Sequence, residues 1–336
     1  MSIETALWLR QKRQGFSKPF DGGQYDELFR GLSPVMCEYW SRPGDPPRLF
    51  QRATEDDFTY NDSRRPGREI LKGRFQGGGI AYVARADMEL FACLYKKQTA
   101  LNKEALEILA ILENEGPLSS KQIRDITGYG KLVPAALQKL QEAFLVFEDQ
   151  TDCEWDRGFY AFSQEFPDIN FERYTRHEAL LEVLPRFWRY MVLANGENAK
   201  SYYKLAAKEI NAAVEELLRR GVLSAVGENM ALTEDLLLLS ERHAPEKGIF
   251  ALHRNDFLVK AHEHELKDAY PHEKHKVIYY LLIDGKISGA ILGRFSNIIN
   301  ELEELVFDNP ADAGRVDEVH MALAAVTEAK LVVKPT

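Results

Sequence analysis

The chain has 336 residues, 45% of them hydrophobic and 28% charged, with three cysteines and a net charge of −9. Its length allows two to four small domains with cores of their own. The acidic balance weighs against a protein that coats nucleic acid through bulk attraction. No stretch approaches the roughly 20 apolar residues of a membrane span, and "MSIETALWLRQKRQGF" lacks the charged start and apolar run of a signal peptide. Cys37, Cys93 and Cys153 are scattered and odd in number, so they suggest neither a disulfide framework nor a zinc knuckle. These features predict a cytoplasmic protein. Charge is uneven: residues 1–85 hold 14 Lys/Arg against 11 Asp/Glu, which places any polyanion-binding face in the N-terminal quarter.

In chain order, helices are expected near Ile3–Gln14 and Gln24–Leu32. The polar segment "SRPGDPPRLFQRATEDDFTYNDSRRPGREI" then sets Arg42, Arg48, Arg52, Arg64, Arg65 and Arg68 among prolines and acids. It reads equally as a phosphate-contacting loop and as a cover for the first domain. Next comes "LKGRFQGGGIAYVARAD". A phosphate loop must end at a helix N-terminus, where free N–H groups meet the anion. Here Gly77-Gly78-Gly79 lead into Ile80-Ala81-Tyr82-Val83, a β-branched and aromatic run, and follow the strand-like Ile70–Phe75. The glycines therefore close a β-hairpin, and a helix starts only near Asp87, with Met88, Phe91 and Leu94 on one face.

Three helices follow: about Lys103–Asn114, one opened by the Ser-x-x-Gln capping box Ser119–Gln122, and one from about Leu132 with Pro134 in its first turn. "FLVFED" and "GFYAFSQ" then supply two strands, and the plan is that of a winged helix-turn-helix. It returns downstream. Ala135-Ala136-Leu137, Leu140, Leu145 and Val146 have counterparts 77 residues later in Ala212-Ala213-Val214, Leu217, Val222 and Leu223. "EALLEVLPRFWRYMVL", "KSYYKLA" and "KEINAAVEELLRRG" supply the second set of helices, and "VLSAVGENMALT" its wing. After about Glu246 the texture becomes strand-rich, with Asp284-Gly285 as a hairpin turn and a closing helix of roughly Asp312–Ala329.

The expected fold class is α+β and helix-rich, with tandem winged helix-turn-helix units before a small β-barrel or sheet domain with a terminal helix. The domains are a degenerate winged-helix-like one with the Gly-rich hairpin (1–97), winged helices over 98–170 and 171–245, and a β-rich domain (246–336).

From about residue 68 onward this organisation resembles the AlkZ/YcaQ-type DNA glycosylases, winged-helix enzymes that remove alkylated bases and unhook interstrand crosslinks. The most specific part is "ALHRNDFLVKAHEHELKDAY…YYLLIDGKISGAILGRF", in which Asp256 follows an apolar strand and precedes the Asp-Gly hairpin. "FQGGGIAYVARADMELF" is similar to the family's N-terminal hairpin and helix, which look toward DNA. The resemblance implies a DNA partner and hydrolysis of an N-glycosidic bond. That chemistry needs a polar group to set water against the glycosidic carbon. The family's signature for it is a glutamine, an apolar residue and a second glutamine or an aspartate. No such triplet with an aliphatic middle residue occurs in residues 1–100, so the catalytic residue is unassigned at this stage.

Candidate DNA-contacting residues are Arg64, Arg65, Lys72, Arg74, Gln76, Gly77 and Gly78 around the hairpin, with Lys131, Gln138 and Lys139 on the third helix of the 98–170 unit. The wing "EDQTDCEWD" is acidic and disfavours a backbone contact. Five histidines (His253, His262, His264, His272, His275) lie among Glu263, Glu265 and Glu273. A His-x-His pair on a strand shares one face and suits zinc, but the ligand spacing is irregular, so no metal and no cofactor is expected. The rival reading is a non-catalytic transcriptional regulator or protein-interaction scaffold. A metal-dependent enzyme centred on the histidines ranks third.

Overall fold

The computed structural model describes residues 2–38, 41, 44–150, 157–295 and 301–329. The first part supplies α1 (Ile3–Arg13), α2 (Gly22–Gly31), β1 (Val35–Met36), α3 (Asp57–Arg64), β2 (Ile70–Phe75), β3 (Gly79–Ala84) and α4 (Met88–Tyr95). β3 lies between β1 and β2, and Tyr82 stands opposite both Val35 and Lys72. The turn Gln76–Gly78 has φ of +79° at Gly77 and +92° at Gly78, a conformation that glycine adopts without a Cβ penalty. A strand follows it, as the hairpin reading requires. Asp87 precedes α4 but does not cap it. Its carboxylate accepts hydrogen bonds from Arg30 at 2.8 Å and pairs with the charge of Arg186 at 3.0 Å instead.

The next part contains α5 (Lys103–Glu115), β4 (Leu118–Ser119), α6 (Ser120–Thr127), α7 (Val133–Glu142), β5 (Val146–Asp149), β6 (Gly158–Ala161) and the one-turn α8 (Phe162–Glu165). Ser119 and Gln122 form the reciprocal cap that the sequence announces, and Pro134 sits in the first turn of α7. Ile108, Leu112, Ile123, Val133, Leu137 and Leu140 close a small core with Val146 and Phe159. A matching set follows in α9 (Arg176–Met191), α10 (Gly196–Tyr203), α11 (Ala207–Arg219), β7 (Leu223–Val226), β8 (Asn229–Leu232) and α12 (Leu236–Ser240). Three helices and an antiparallel hairpin thus occur twice. Residues 151–156, most of the acidic segment between β5 and β6, lie outside the described residues.

The last part holds β9 (Ile249–His253), α13 (Phe257–Ala261), α14 (Glu263–Leu266), β10 (Lys276–Ile283), β11 (Lys286–Arg294), β12 (Glu301–Phe307) and α15 (Val316–Ala324). The strands form an antiparallel sheet in the order β12-β11-β10-β9. Val319, Ala322 and Leu323 of α15 share a core with Ile249, Ala251 and Tyr279 of the sheet.

Two ties join the ends of the chain. α1 reaches across to the second helical set and the sheet: Arg13 holds Asp235 through two 2.6 Å bonds, Gln14 donates to the Tyr190 carbonyl and Arg10 to that of Gly285. The second tie is Arg52. Its guanidinium is 2% exposed and grips Asp256 at 2.7 and 3.1 Å, donates to the Leu49 carbonyl and Gln14 Oε1, and lies 4.4 Å above the Phe16 ring. Burial pushes the Asp256 carboxyl up. Arg52's charge and hydrogen bonds outweigh that and hold it below the usual carboxylate range.

A buried ion pair stripped of one partner leaves an uncompensated charge, which costs about 3–5 kcal/mol. Arg52→Ala is therefore expected to lower stability by about that amount in urea unfolding, whereas Lys18→Ala, an exchange of an unpaired surface lysine, should change it by less than about 0.5 kcal/mol. A loss below about 1 kcal/mol for Arg52→Ala would show that the tie is dispensable.

Candidate active site

Residues of the first part, of the β5–β6 region and of the last part line one cavity of about 300 Å³, at the small end of the roughly 300–1,000 Å³ typical of ligand sites. Met36, Cys37 and Glu38 enter it from the end of β1, followed by Ser41, Gly44 and Asp45. Lys72, Ile80 and Tyr82 come from the hairpin, Glu148, Gln150 and Arg157 from around β5 and β6, and Asn255 from the turn after β9. Asn255 locks the loop in place by donating to the Cys37 carbonyl at 2.8 Å. Asp256, its chain neighbour, is the residue that Arg52 grips.

Glu38 is the group with unassigned chemistry here. Its Oε1 is covered by protein and has no hydrogen-bond partner among the described residues. Burial pushes its carboxyl up to about 7; Arg48 opposes the rise, and Asp45 and Asp57 add to it. A carboxyl that exchanges its proton near neutrality inside a cavity has the pKa of an acid–base group. Glu148, on the opposite wall, is tuned the other way. Burial raises it, but Lys72 at 3.4 Å, Gln141 at 2.9 Å and Arg157 at 3.0 Å lower it below the usual range. Two carboxyls on one cavity are thus pushed apart in proton affinity. Cys37 is no nucleophile: burial pushes its thiol up to about 12.

The sequence candidates separate into distinct groups. Arg64 is buried, ion-paired to Asp26 at 2.9 Å and set over the Phe29 and Tyr60 rings. Arg65 is also buried, on Asp149 and Asp62 at 3.0 Å and on the Gly44 and Gln150 carbonyls. Both hold the arginine-rich segment against its neighbours, the covering role of the two that the sequence left open. Lys72 lines the cavity, and Arg74 donates to Gln141 Oε1 at 2.5 Å. Gln76 is buried and donates to the Tyr202 carbonyl. Gly77 and Gly78 form the turn. Lys131 and Gln138 are exposed and Lys139 is half-buried. Glu38 was missed because it lies in "VMCEYW", which has no glutamine and no regular spacing; a lone acid after a short strand carries no signal until the fold buries it.

The histidines do not converge as a group. His262 and His264 flank Glu263 in helical backbone, not on a strand, because α13 and α14 run through the segment. His272, His275 and Glu304 do meet, and the two rings stack 4.2 Å apart. His272 Nδ1, however, accepts the backbone N–H groups of Lys274 and His275. Its own proton therefore sits on Nε2, which faces Glu304 at 3.3 Å. A ligating histidine uses its N–H the opposite way, donating outward from the nitrogen that does not bind metal. The loop meets β12 through these contacts between His272, His275 and the carboxylates of Glu303 and Glu304.

The fold is of the AlkZ/YcaQ type. Among solved structures, the chain is similar to Streptomyces sahachiroi DNA glycosylase AlkZ, with a TM-score of 0.72 and 15% sequence identity over 99% of each chain. The likeness includes the N-terminal 65 residues, beyond the part where the sequence resemblance is legible. No protein-family model matches the sequence, and no curated protein matches it. Among the described residues no helix is long and apolar enough to cross a membrane.

A carboxyl raised above its unfolded value favours the protonated folded state, so its burial subtracts stability as pH rises from about 4.5 to about 7. Glu38→Gln removes that penalty. The variant should melt above the parent at pH 8 and match it at pH 4.5; equal melting temperatures at both pH values would mean that Glu38 is not held in a charge-disfavouring site.

Proposed function

We propose that the protein binds duplex DNA and hydrolyses the N-glycosidic bond of an alkylated nucleotide turned into the cavity, with Glu38 as the acid–base group. On this reading the two helix–hairpin sets are winged helices, and the glycine hairpin belongs to a third, degenerate one. The observation that carries the proposal is a half-buried carboxyl in a cavity of ligand size, its covered Oε1 without a hydrogen-bond partner among the described residues and its proton affinity raised by burial, within a chain of AlkZ fold.

The chemistry follows from the groups present. Alkylation of a ring nitrogen leaves the base cationic, so it departs with the bonding electrons without needing a proton from the protein. The sugar carbon left behind gains positive charge, which an adjacent carboxylate stabilises. Ionised Glu38 accepts a proton from the attacking water as its oxygen bonds to that carbon. Tyr82 and Ile80 wall the base side of the cavity. Turning a base out of the stack takes a few kcal/mol, least at damaged pairs, which gives a base-sized cavity some preference for lesions.

DNA would lie along the hairpin turn Gly77-Gly78, where no side chains stand off the backbone, and beside Arg74, Lys131, Gln138 and Lys139. Lys72, Arg64, Arg65 and Gln76 act from behind, by positioning the hairpin and the cavity wall. The net charge of −9 favours the second reading, a protein-interaction scaffold without hydrolysis.

The deciding experiment is excision from duplexes carrying an alkylated purine. Glu38→Gln is expected to lower the single-turnover rate by about 10²–10⁴-fold while binding to the same duplex stays within about twofold. Absence of abasic product from the unaltered protein, across alkylated bases and crosslinks, would give the case to the scaffold.

A further inference from the structure

Next to the Glu38 cavity lies a second cleft, of about 450 Å³, between the hairpin and the α6–α7 corner. It is lined by Arg74 from β2, Lys121 and Arg124 from α6, Arg157, and Gln138 and Gln141 from α7. The two spaces share a wall made of Glu148 and Arg157.

The cations of this cleft differ from those that hold the parts of the chain together. Most of the basic residues described above answer an acid: Arg52, Arg64, Arg65, Lys72 and Arg157 all do. Glu148 is the single carboxylate among the cleft-lining residues, and Lys72, Arg157 and Gln141 already satisfy it. Lys121 and Arg124 are exposed and make no ion pair among the described residues, and Arg74 donates to neutral acceptors, the Gln141 amide oxygen and the Gly78 carbonyl. In a protein of net charge −9, three cations that make no ion pair among the described residues, set around one polar cleft, mark a site for an anion. Cations lining one cleft together with the amides of Gln138 and Gln141 suit a phosphodiester, which accepts hydrogen bonds on several oxygens.

We propose that this cleft binds a backbone phosphate of the DNA strand, adjoining the nucleotide whose base enters the Glu38 cavity. The proposal rests on the reading of that cavity given above. It gives the α6–α7 helix pair a role different from groove reading. Its corner faces the hairpin and, with Lys121 and Arg124 on α6, clamps the strand where the base leaves the stack, and Arg157 links the phosphate cleft to the catalytic cavity.

The test is a cycle between protein and DNA. Binding of full-length protein is measured by anisotropy on duplexes carrying a stable abasic analogue, with one neutral methylphosphonate linkage moved stepwise through the two positions on each side of it. Three forms are compared: unaltered, Lys121→Ala/Arg124→Ala, and Lys208→Ala, the last an exposed lysine of α11 outside the cleft. One linkage position should weaken the unaltered protein and Lys208→Ala by about fivefold to tenfold, yet change the double variant by less than twofold. The double variant should also reduce the steepness of log K against log salt by about 1–2, each neutralised phosphate contributing about 0.9. Matching melting temperatures show that the exposed substitutions leave the fold intact. Equal linkage profiles in all three forms, or an unchanged salt slope, would overturn the cleft. In that case the cavity reading stands or falls separately, on whether Glu38→Gln loses excision while keeping affinity. Failure of the unaltered protein to bind DNA at about 50 mM salt would remove both.

Discussion

The bond between Arg52 and Asp256 joins parts of the chain that are 204 residues apart. It is dry, bidentate and backed by the Phe16 ring, and it fixes the turn after β9 against the segment that follows β1. That turn carries Asn255, whose side chain holds the Cys37 carbonyl. Glu38 is the next residue. The position of the cavity's acid is thus set by a chain of short contacts that begins at a buried charge pair. Such a pair adds little net stability, because desolvation offsets attraction, but the mispaired alternatives are expensive. Its value here is in specifying one arrangement of the N-terminal loop.

The same logic distributes the other cations. Arg65 and Arg68 both reach Asp149 on the edge of β5, and Lys72 reaches Glu148 beside it. Arginines that look in the sequence like a nucleic-acid patch instead fasten the hairpin domain to its neighbour, and that fastening makes the cavity wall. Among the described residues, Lys121 and Arg124 on one cleft are exposed cations without an ion pair, so a polyanion has groups to meet there that the fold itself does not use.

Much of the framework was legible because it rests on short-range rules. The Ser119–Gln122 cap, the Gly77-Gly78 turn, the Asp284-Gly285 hairpin and the 77-residue echo between α7 and α11 are each set by neighbouring residues. The packing of α1 on α9, α12 and the sheet was not legible, since Arg13 and Asp235 carry no mark of each other across 222 residues. Burial was the decisive hidden variable. Arg64 and Lys72 read as solvent-facing from their charge, and Glu38 read as nothing at all. Each is defined by what the fold packs around it, and Glu38's proton affinity rises chiefly because burial disfavours its charge.

The proposed hydrolysis requires Glu38 to be ionised in a place that resists ionisation. The most direct measurement is the pH dependence of single-turnover excision of an alkylated base between pH 5 and 9. A base that must lose its proton gives a rate that climbs with pH and levels above an apparent pKa near 7, the value to which burial pushes this carboxyl. A flat profile across that range, or a limb at the ordinary glutamate value near about 4.3, would contradict the assignment.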